Sequence, residues 1–226
     1  FIIDPLYTLP LIAAVLISLF TGLREQSWRV PAVALAVSTL YIGFSLAGKF
    51  MAEQRVEREL ARQGIQAEQL FTTPTPFNSL LWRVIVLDGE DYHEALVGWF
   101  DDKPPQLQRL PRGTHLREQL TDSPMHQRLE WFSGGVLRYD QVGERLIVTD
   151  LRLGMTGFHP FRFDFAHLQD GQWQVHERID RLPFERGEVE HLALMFKRIW
   201  QPQLEVPLLA WASELQKPLL TETRSH

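Results

Sequence analysis

Any catalysis by this chain must come from histidines, carboxylates, hydroxyls and basic side chains, because it has no cysteine among its 226 residues. That excludes disulfide scaffolds, thiolate zinc sites, iron–sulfur clusters and a cysteine nucleophile. The eight histidines are His93, His115, His126, His159, His167, His176, His191 and His226. None forms an HxH, HxxxH or HExxH spacing, the arrangements that concentrate ligands on one metal ion. Strands can still assemble ligands from afar. His93 stands beside Asp91 and Glu94, and His159 precedes a strand carrying Asp164. The alternative is a set of partly exposed strand and loop histidines. There is no GxSxG nucleophile turn, no Walker loop and no GxGxxG. Gly154-Met155-Thr156-Gly157 reads only as a turn.

Two constellations carry more. The first is Thr73-Pro74-Thr75-Pro76-Phe77-Asn78 leading into Leu80-Leu81-Trp82-Arg83. This proline-stiffened entry delivers Asn78, Trp82 and Arg83 to the start of a strand, where Trp82 and Arg83 could hold an anionic group or a lipid headgroup. The competing reading is a structural corner, with Trp82 in the core and Arg83 paired to Glu94. The second is Asp150-Leu151-Arg152-Leu153-Gly154, whose alternation puts Asp150 and Arg152 on one face and the leucines on the other. Arg162 and Asp164 alternate likewise. Four charges on one face could bind a polar ligand, or form a salt-bridge ladder.

The elements that must position these residues are mostly strands. Ser79–Leu87 and Tyr92–Phe100 flank Asp88-Gly89, a short hairpin signal. A two-residue turn at Asp88-Gly89 would set Arg83 opposite Glu94 and Trp82 opposite Ala95. Asp101–Pro111, with Pro104-Pro105, reads as a loop. Thr114–Leu120 and Met125–Phe132 read as helices, the second capped by Asp122 or Ser123 with Pro124 in its first turn and ended by Gly134-Gly135. Val136–Asp140 and Arg145–Leu153 form a hairpin. Phe161, Phe163 and Phe165 alternate with polar neighbours into a half-buried strand, and Asp170-Gly171 turns the chain back. Helices follow from about Gly187 to Trp200 and near Leu208–Leu215. The expected class is α+β: an antiparallel β-sheet with flanking helices.

The first 48 residues differ in kind. Pro5–Leu23 and Val30–Gly48 are charge-free windows, each 19 residues long between their bounding charges. A helix of that length reaches roughly 28 Å, close to the ~30 Å hydrocarbon core of a bilayer. The expected organisation is two transmembrane helices over 1–48, a helical connector over 49–64, and a soluble α+β domain over 65–226. The short Arg24–Arg29 loop makes the spans an antiparallel hairpin. Lys49, Arg55, Arg58 and Arg62 outnumber Arg24 and Arg29, which puts the domain in the cytoplasm. The connector reads as a solvated helix with pairs such as Arg55–Glu59, or as a helix lying on anionic lipid. A mean hydropathy of −0.15 averages these unlike parts, and a net charge of −5 argues against nucleic acid as a partner.

Three segments together carry a resemblance: Phe1-Ile2-Ile3-Asp4-Pro5-Leu6-Tyr7-Thr8-Leu9-Pro10-Leu11, Thr75-Pro76-Phe77-Asn78 through Leu81-Trp82-Arg83, and Asp150-Leu151-Arg152-Leu153-Gly154. The chain resembles the YdjM/YbcI-type inner-membrane proteins, usually described as metal-dependent hydrolases. The likeness extends over most of the chain and falls on the later part of the family's sequence. Longer members carry an N-terminal membrane region with PDxD, HRxxxHS and HxxxD motifs, which look like metal ligands; neither PDxD nor HRxxxHS is present here. The resemblance implies the C-terminal part of a multi-pass hydrolase of the bacterial inner membrane that uses a divalent metal ion. On that resemblance the chain is either a fragment whose metal-binding region lies upstream of Phe1, or a product without that activity. Asp4, at a membrane boundary, would then be a ligand or support one; otherwise it is a carboxylate favoured by a helix N-terminus. The reading from a different class is a non-enzymatic membrane-anchored binding or interaction domain, with the lipid bilayer as its partner.

Overall fold

In the computed structural model, residues 5–21, 28–183 and 189–217 are described. Asp4, most of the Arg24–Arg29 loop and Gly187 lie outside them. Helix α1 covers Pro5–Thr21, and α2 covers Arg29–Gln63 as one continuous helix of 35 residues. Gly64 ends α2 in a left-handed conformation (φ 70°), with its N–H turned back to the Ala61 and Leu60 carbonyls, the glycine stop the sequence predicts. Among the described residues, α2 is the one helix long and apolar enough to cross a membrane. α1 is apolar but shorter, and it packs on α2, where Ser38 Oγ donates to the Tyr7 carbonyl at 3.1 Å.

Eight strands make two four-stranded antiparallel sheets. The first holds β1 (Gln69–Pro74), β2 (Leu81–Asp88), β3 (Asp91–Gly98) and β4 (Gln108–Pro111), paired in chain order. The second holds β5 (Leu137–Val142), β6 (Arg145–Asp150), β7 (Arg162–Gln169) and β8 (Gln172–Arg181), also in chain order. The α+β class is as expected, but the strands divide into two sheets. β4 is a strand inside the segment read as a loop. Its four residues are too few to show alternation, and pairing with β3 creates it.

β2 and β3 are buried on both faces. One face, with Trp82, Val84, Val86, Ala95 and Val97, packs on Ala52, Val56 and Leu60 of α2. The segment expected to be a solvated connector is therefore half core. Its four-residue apolar spacing is a buried stripe, since residues i and i+4 share one helix face. The expected Arg55–Glu59 pair gives way as well. Arg55 instead donates to the Asp101 and Lys103 carbonyls at 2.7 and 2.9 Å, while Glu59 takes Arg62 and Gln63.

The opposite face meets α4 (Val189–Trp200), α5 (Leu208–Ser213) and the 151–158 segment through Leu81, Leu96, Met155, Ile199 and Trp211. The second sheet packs Leu137, Leu146, Val148 and Phe165 on Leu116 and Leu120 of a 3-10 turn, Thr114–Leu120. α3 (Pro124–Ser133) begins at Ser123, whose side chain accepts from the His126 N–H, and ends at Gly134. The sequence predicts both caps. At Asp170-Gly171 both residues have positive φ, as a two-residue hairpin turn requires.

The β2–β3 register differs from the expected one. Asp88 faces Asp91, so the turn is Gly89-Glu90, with Arg83 opposite Leu96 and Trp82 opposite Val97. The pairing has slid by two residues, which keeps every side chain on its predicted face.

Candidate functional site

The structure links the two constellations by one hydrogen bond. Arg83 Nη1 donates to the Leu151 carbonyl at 2.7 Å, and Leu151 lies between Asp150 and Arg152. The other Arg83 nitrogens form a two-pronged pair with Glu94, Nε to Oε1 at 2.7 Å and Nη2 to Oε2 at 3.0 Å. Glu94 also accepts from the Thr156 hydroxyl. Arg83 and Glu94 are 1% and 0% exposed, so the pair sits inside the protein with its donors spent on protein acceptors. Trp82 is likewise in the core, its indole N–H donating to the Ser79 carbonyl at 3.1 Å.

Asn78 staples its own loop. Its Oδ1 accepts from the Leu80 and Leu81 N–H groups, both at 2.9 Å, and its Nδ2 donates to Thr75 Oγ1 at 2.8 Å. Buried Asp150 accepts from Arg152 Nη2 at 2.7 Å and from the Arg152 backbone N–H at 3.0 Å. Arg152 also lies over the Phe132 ring, 5.1 Å from its centre. Arg162 turns to the Leu215 carbonyl, and Asp164 to His176 and Arg145. The four charges of the second constellation thus spread over three separate interactions rather than forming one ligand-binding face.

Around Arg83 and Glu94 lies a further buried polar layer. Arg138 Nη2 pairs with Asp140 at 2.7 Å, and the Gln216 amide reaches the same carboxylate. Tyr92 is enclosed, and burial together with nearby Glu94 pushes its phenol up to about 12. His159 Nδ1–H donates to the Leu153 carbonyl, 2.8 Å away. Burial, reinforced by the positive charges of Arg83, Arg162 and Arg138, holds His159 well below the ordinary imidazole range. His159 is therefore a neutral ring among arginines, a structural group rather than a proton carrier at neutral pH.

That state has a measurable consequence. The unfolded histidine, near 6.5, binds a proton that the folded one refuses, so stability is full above about pH 6.5 and falls as pH drops. The unfolding free energy should fall by about 1.4 kcal/mol per pH unit below that point for this group alone. Denaturant titrations at pH 7.5 and 5.5 should show the loss. His159→Asn should flatten the slope, and an unchanged slope would show that His159 is not its source.

Sequence reasoning missed two features. A chain of side chains runs inward from the surface: Arg117 to Glu130, Glu130 to the Tyr139 hydroxyl at 3.4 Å, and that hydroxyl to His126 Nε2 at 3.0 Å. Burial lowers the His126 pKa. The Ser123-Pro124 cap locates His126 on a helix, but only tertiary packing brings it to Tyr139. The second is an open groove of about 210 Å³ between the β3–β4 connection and α4–α5, lined by Asp101, Lys103, Gln108, Arg198 and Glu205. Its central charges are already paired, Arg198 to Asp101 at 2.6 and 2.8 Å.

Among the described residues no three His, Asp or Glu side chains gather as a metal-binding group. His93 meets Asp88 at 3.2 Å, while its neighbour Glu94 is engaged by Arg83 and Thr156. The described residues therefore gather no ligand set for the divalent ion that the resemblance implies, and no chemical step is routed through one. No family model matches the sequence, and no characterised protein or solved structure is significantly similar to it.

Proposed function

We propose that this chain is a membrane-anchored interaction domain, in which α1 and α2 form a hairpin within a lipid bilayer and hold the two sheets at its surface. The observation that carries this reading is the exposure of large apolar side chains along both helices. Leu9, Leu19 and Phe20 of α1 and Val33, Leu35 and Leu40 of α2 are all more than half exposed. Water-exposed apolar surface of that extent is rare on a soluble monomer. Tyr7 beside Ser38, and Leu11 to Leu19 beside Pro31, support an antiparallel arrangement. The basic residues after the second window favour a cytoplasmic domain, and a bacterial inner membrane is what the resemblance implies. α2 runs unbroken from the apolar stretch into the core of the first sheet, so the domain is held by a rigid helix rather than a flexible tether.

The non-enzymatic reading follows from the site: the strongest charged constellations spend their donors and acceptors internally. The metal-dependent hydrolase is the other reading, and it rests on the resemblance. The chain should stay with the membrane fraction through alkaline carbonate washing and be released by detergent. Recovery in the supernatant without detergent would sink the anchor. Stoichiometric divalent metal in the detergent-purified protein would favour the hydrolase instead.

A further inference from the structure

We infer that the Thr75–Ser79 loop, with Phe77 at its tip, and the neighbouring Phe100–Trp200 pair form a foot that sits in the lipid headgroup–acyl boundary. This inference rests on the membrane reading above and adds to it where the domain meets the bilayer.

The argument begins with helix length. Arg29–Leu40, the part of α2 that faces only α1 and solvent, reaches about 18 Å at 1.5 Å per residue. A hydrocarbon core of about 30 Å needs roughly 12 Å more. On α2 that distance is Tyr41–Gly48, the last charge-free stretch before Lys49. One face of this stretch is already covered by the domain. The Tyr41 hydroxyl donates to Ser79 Oγ at 3.0 Å, Ser79 Oγ donates to Ser45 Oγ at 3.3 Å, and Phe44 stacks on Trp99 with ring centres 4.8 Å apart. If α2 crosses the bilayer, the Ser79 loop goes down with it.

Non-helical backbone at such depth must satisfy its own polar groups, and several are satisfied where this loop enters β2. The Ser79 carbonyl accepts from both the Trp82 and Trp99 indoles at 3.1 Å. The Leu80 carbonyl takes the Trp99 N–H, and the Leu81 carbonyl takes the Thr75 N–H. Asn78 Oδ1 takes the Leu80 and Leu81 N–H groups, and Pro74 and Pro76 have no N–H to satisfy. The segment that looked in sequence like a ligand grip is a loop closed on itself.

Its outward side chains suit the boundary. Phe77 is 47% exposed and holds a left-handed backbone (φ 62°), a conformation that costs a bulky residue energy and that an Asn or Gly would take more easily. Phe100 and Trp200 stack on each other with centres 5.2 Å apart while both stay at least half exposed. Trp is enriched at the membrane–water boundary, and exposed Phe and Trp together bury into the headgroup–acyl boundary on interfacial elements.

The absence of cysteine makes the test clean, since one introduced cysteine carries one environment-sensitive fluorophore. Leu35→Cys, Phe77→Cys and Phe100→Cys would each be labelled in the full chain and reconstituted in phosphatidylcholine–phosphatidylglycerol vesicles. Phe100 lies outside the strained loop, so it reports the boundary even if the Phe77 substitution loosens that turn. Labels at 77 and 100 should lose intensity to a nitroxide placed near the headgroup, and the label at 35 to one deeper in the acyl chain. Iodide quenching at 77 or 100, with the label at 35 still quenched from within the lipid, overturns the foot and leaves the anchor standing. Iodide quenching at 35 overturns the anchor, and the foot with it.

Discussion

Arg83→Met on its own should destabilise the protein by about 3–5 kcal/mol, because it strands the Glu94 carboxylate in the interior. Glu94 is fully buried and keeps only the Thr156 hydroxyl as a side-chain donor once Arg83 is gone. The Leu151 carbonyl loses its partner as well. Arg83→Met/Glu94→Leu should recover most of that loss, since a well-packed apolar pair often replaces a buried ion pair at little cost. Denaturant unfolding of the two variants beside the parent, in one detergent, reads both effects. Equal destabilisation of the single and double variants would mean that the pair itself, rather than the stranded charge, carries the stability.

Gly48→Leu is the second large effect, at about 3 kcal/mol, the upper end of what overpacking usually costs. A Cβ at residue 48 would sit 2.7 Å from Trp82 Nε1 and 2.9 Å from Trp99 Nε1. Both indoles hold the Ser79 carbonyl, so they cannot swing away without breaking those bonds. The clash pushes α2 off the first sheet at the junction that couples the apolar helix to the domain. Tryptophan emission should shift to the red as the rings gain solvent, and the unfolding midpoint should fall. Gly43→Leu is the control, because nothing lies within 4 Å of the added Cβ there. Equal effects at 43 and 48 would remove the junction as the cause.

These two sites also mark how far the sequence could be read. The Arg83–Glu94 pair was legible although the register was wrong by two. Side chains alternate with a period of two, so that slide leaves both groups on one face and within reach. The turn at Asp170-Gly171 and the ends of α3 and α2 were legible because caps and turns depend on a few adjacent residues. Gly48 carried no such signal. It sits in a charge-free window where glycine looks incidental, and its role exists only once Trp82 and Trp99, 34 and 51 positions away in the sequence, close over it.

The same division runs through the molecule. The sequence by itself determined the contrast between an apolar N-terminal stretch and a charged, strand-rich remainder, along with most helices and hairpins. Those features follow from local periodicity and turn chemistry. Tertiary structure decided what the charges are for. It joined Arg83 to Leu151, turned Ala52, Val56 and Leu60 into core, made a strand of Gln108–Pro111, and closed the Asn78 loop on itself. Each depends on which distant surfaces meet, and the free energy of burying a polar group or an apolar stripe is fixed only when its partner arrives.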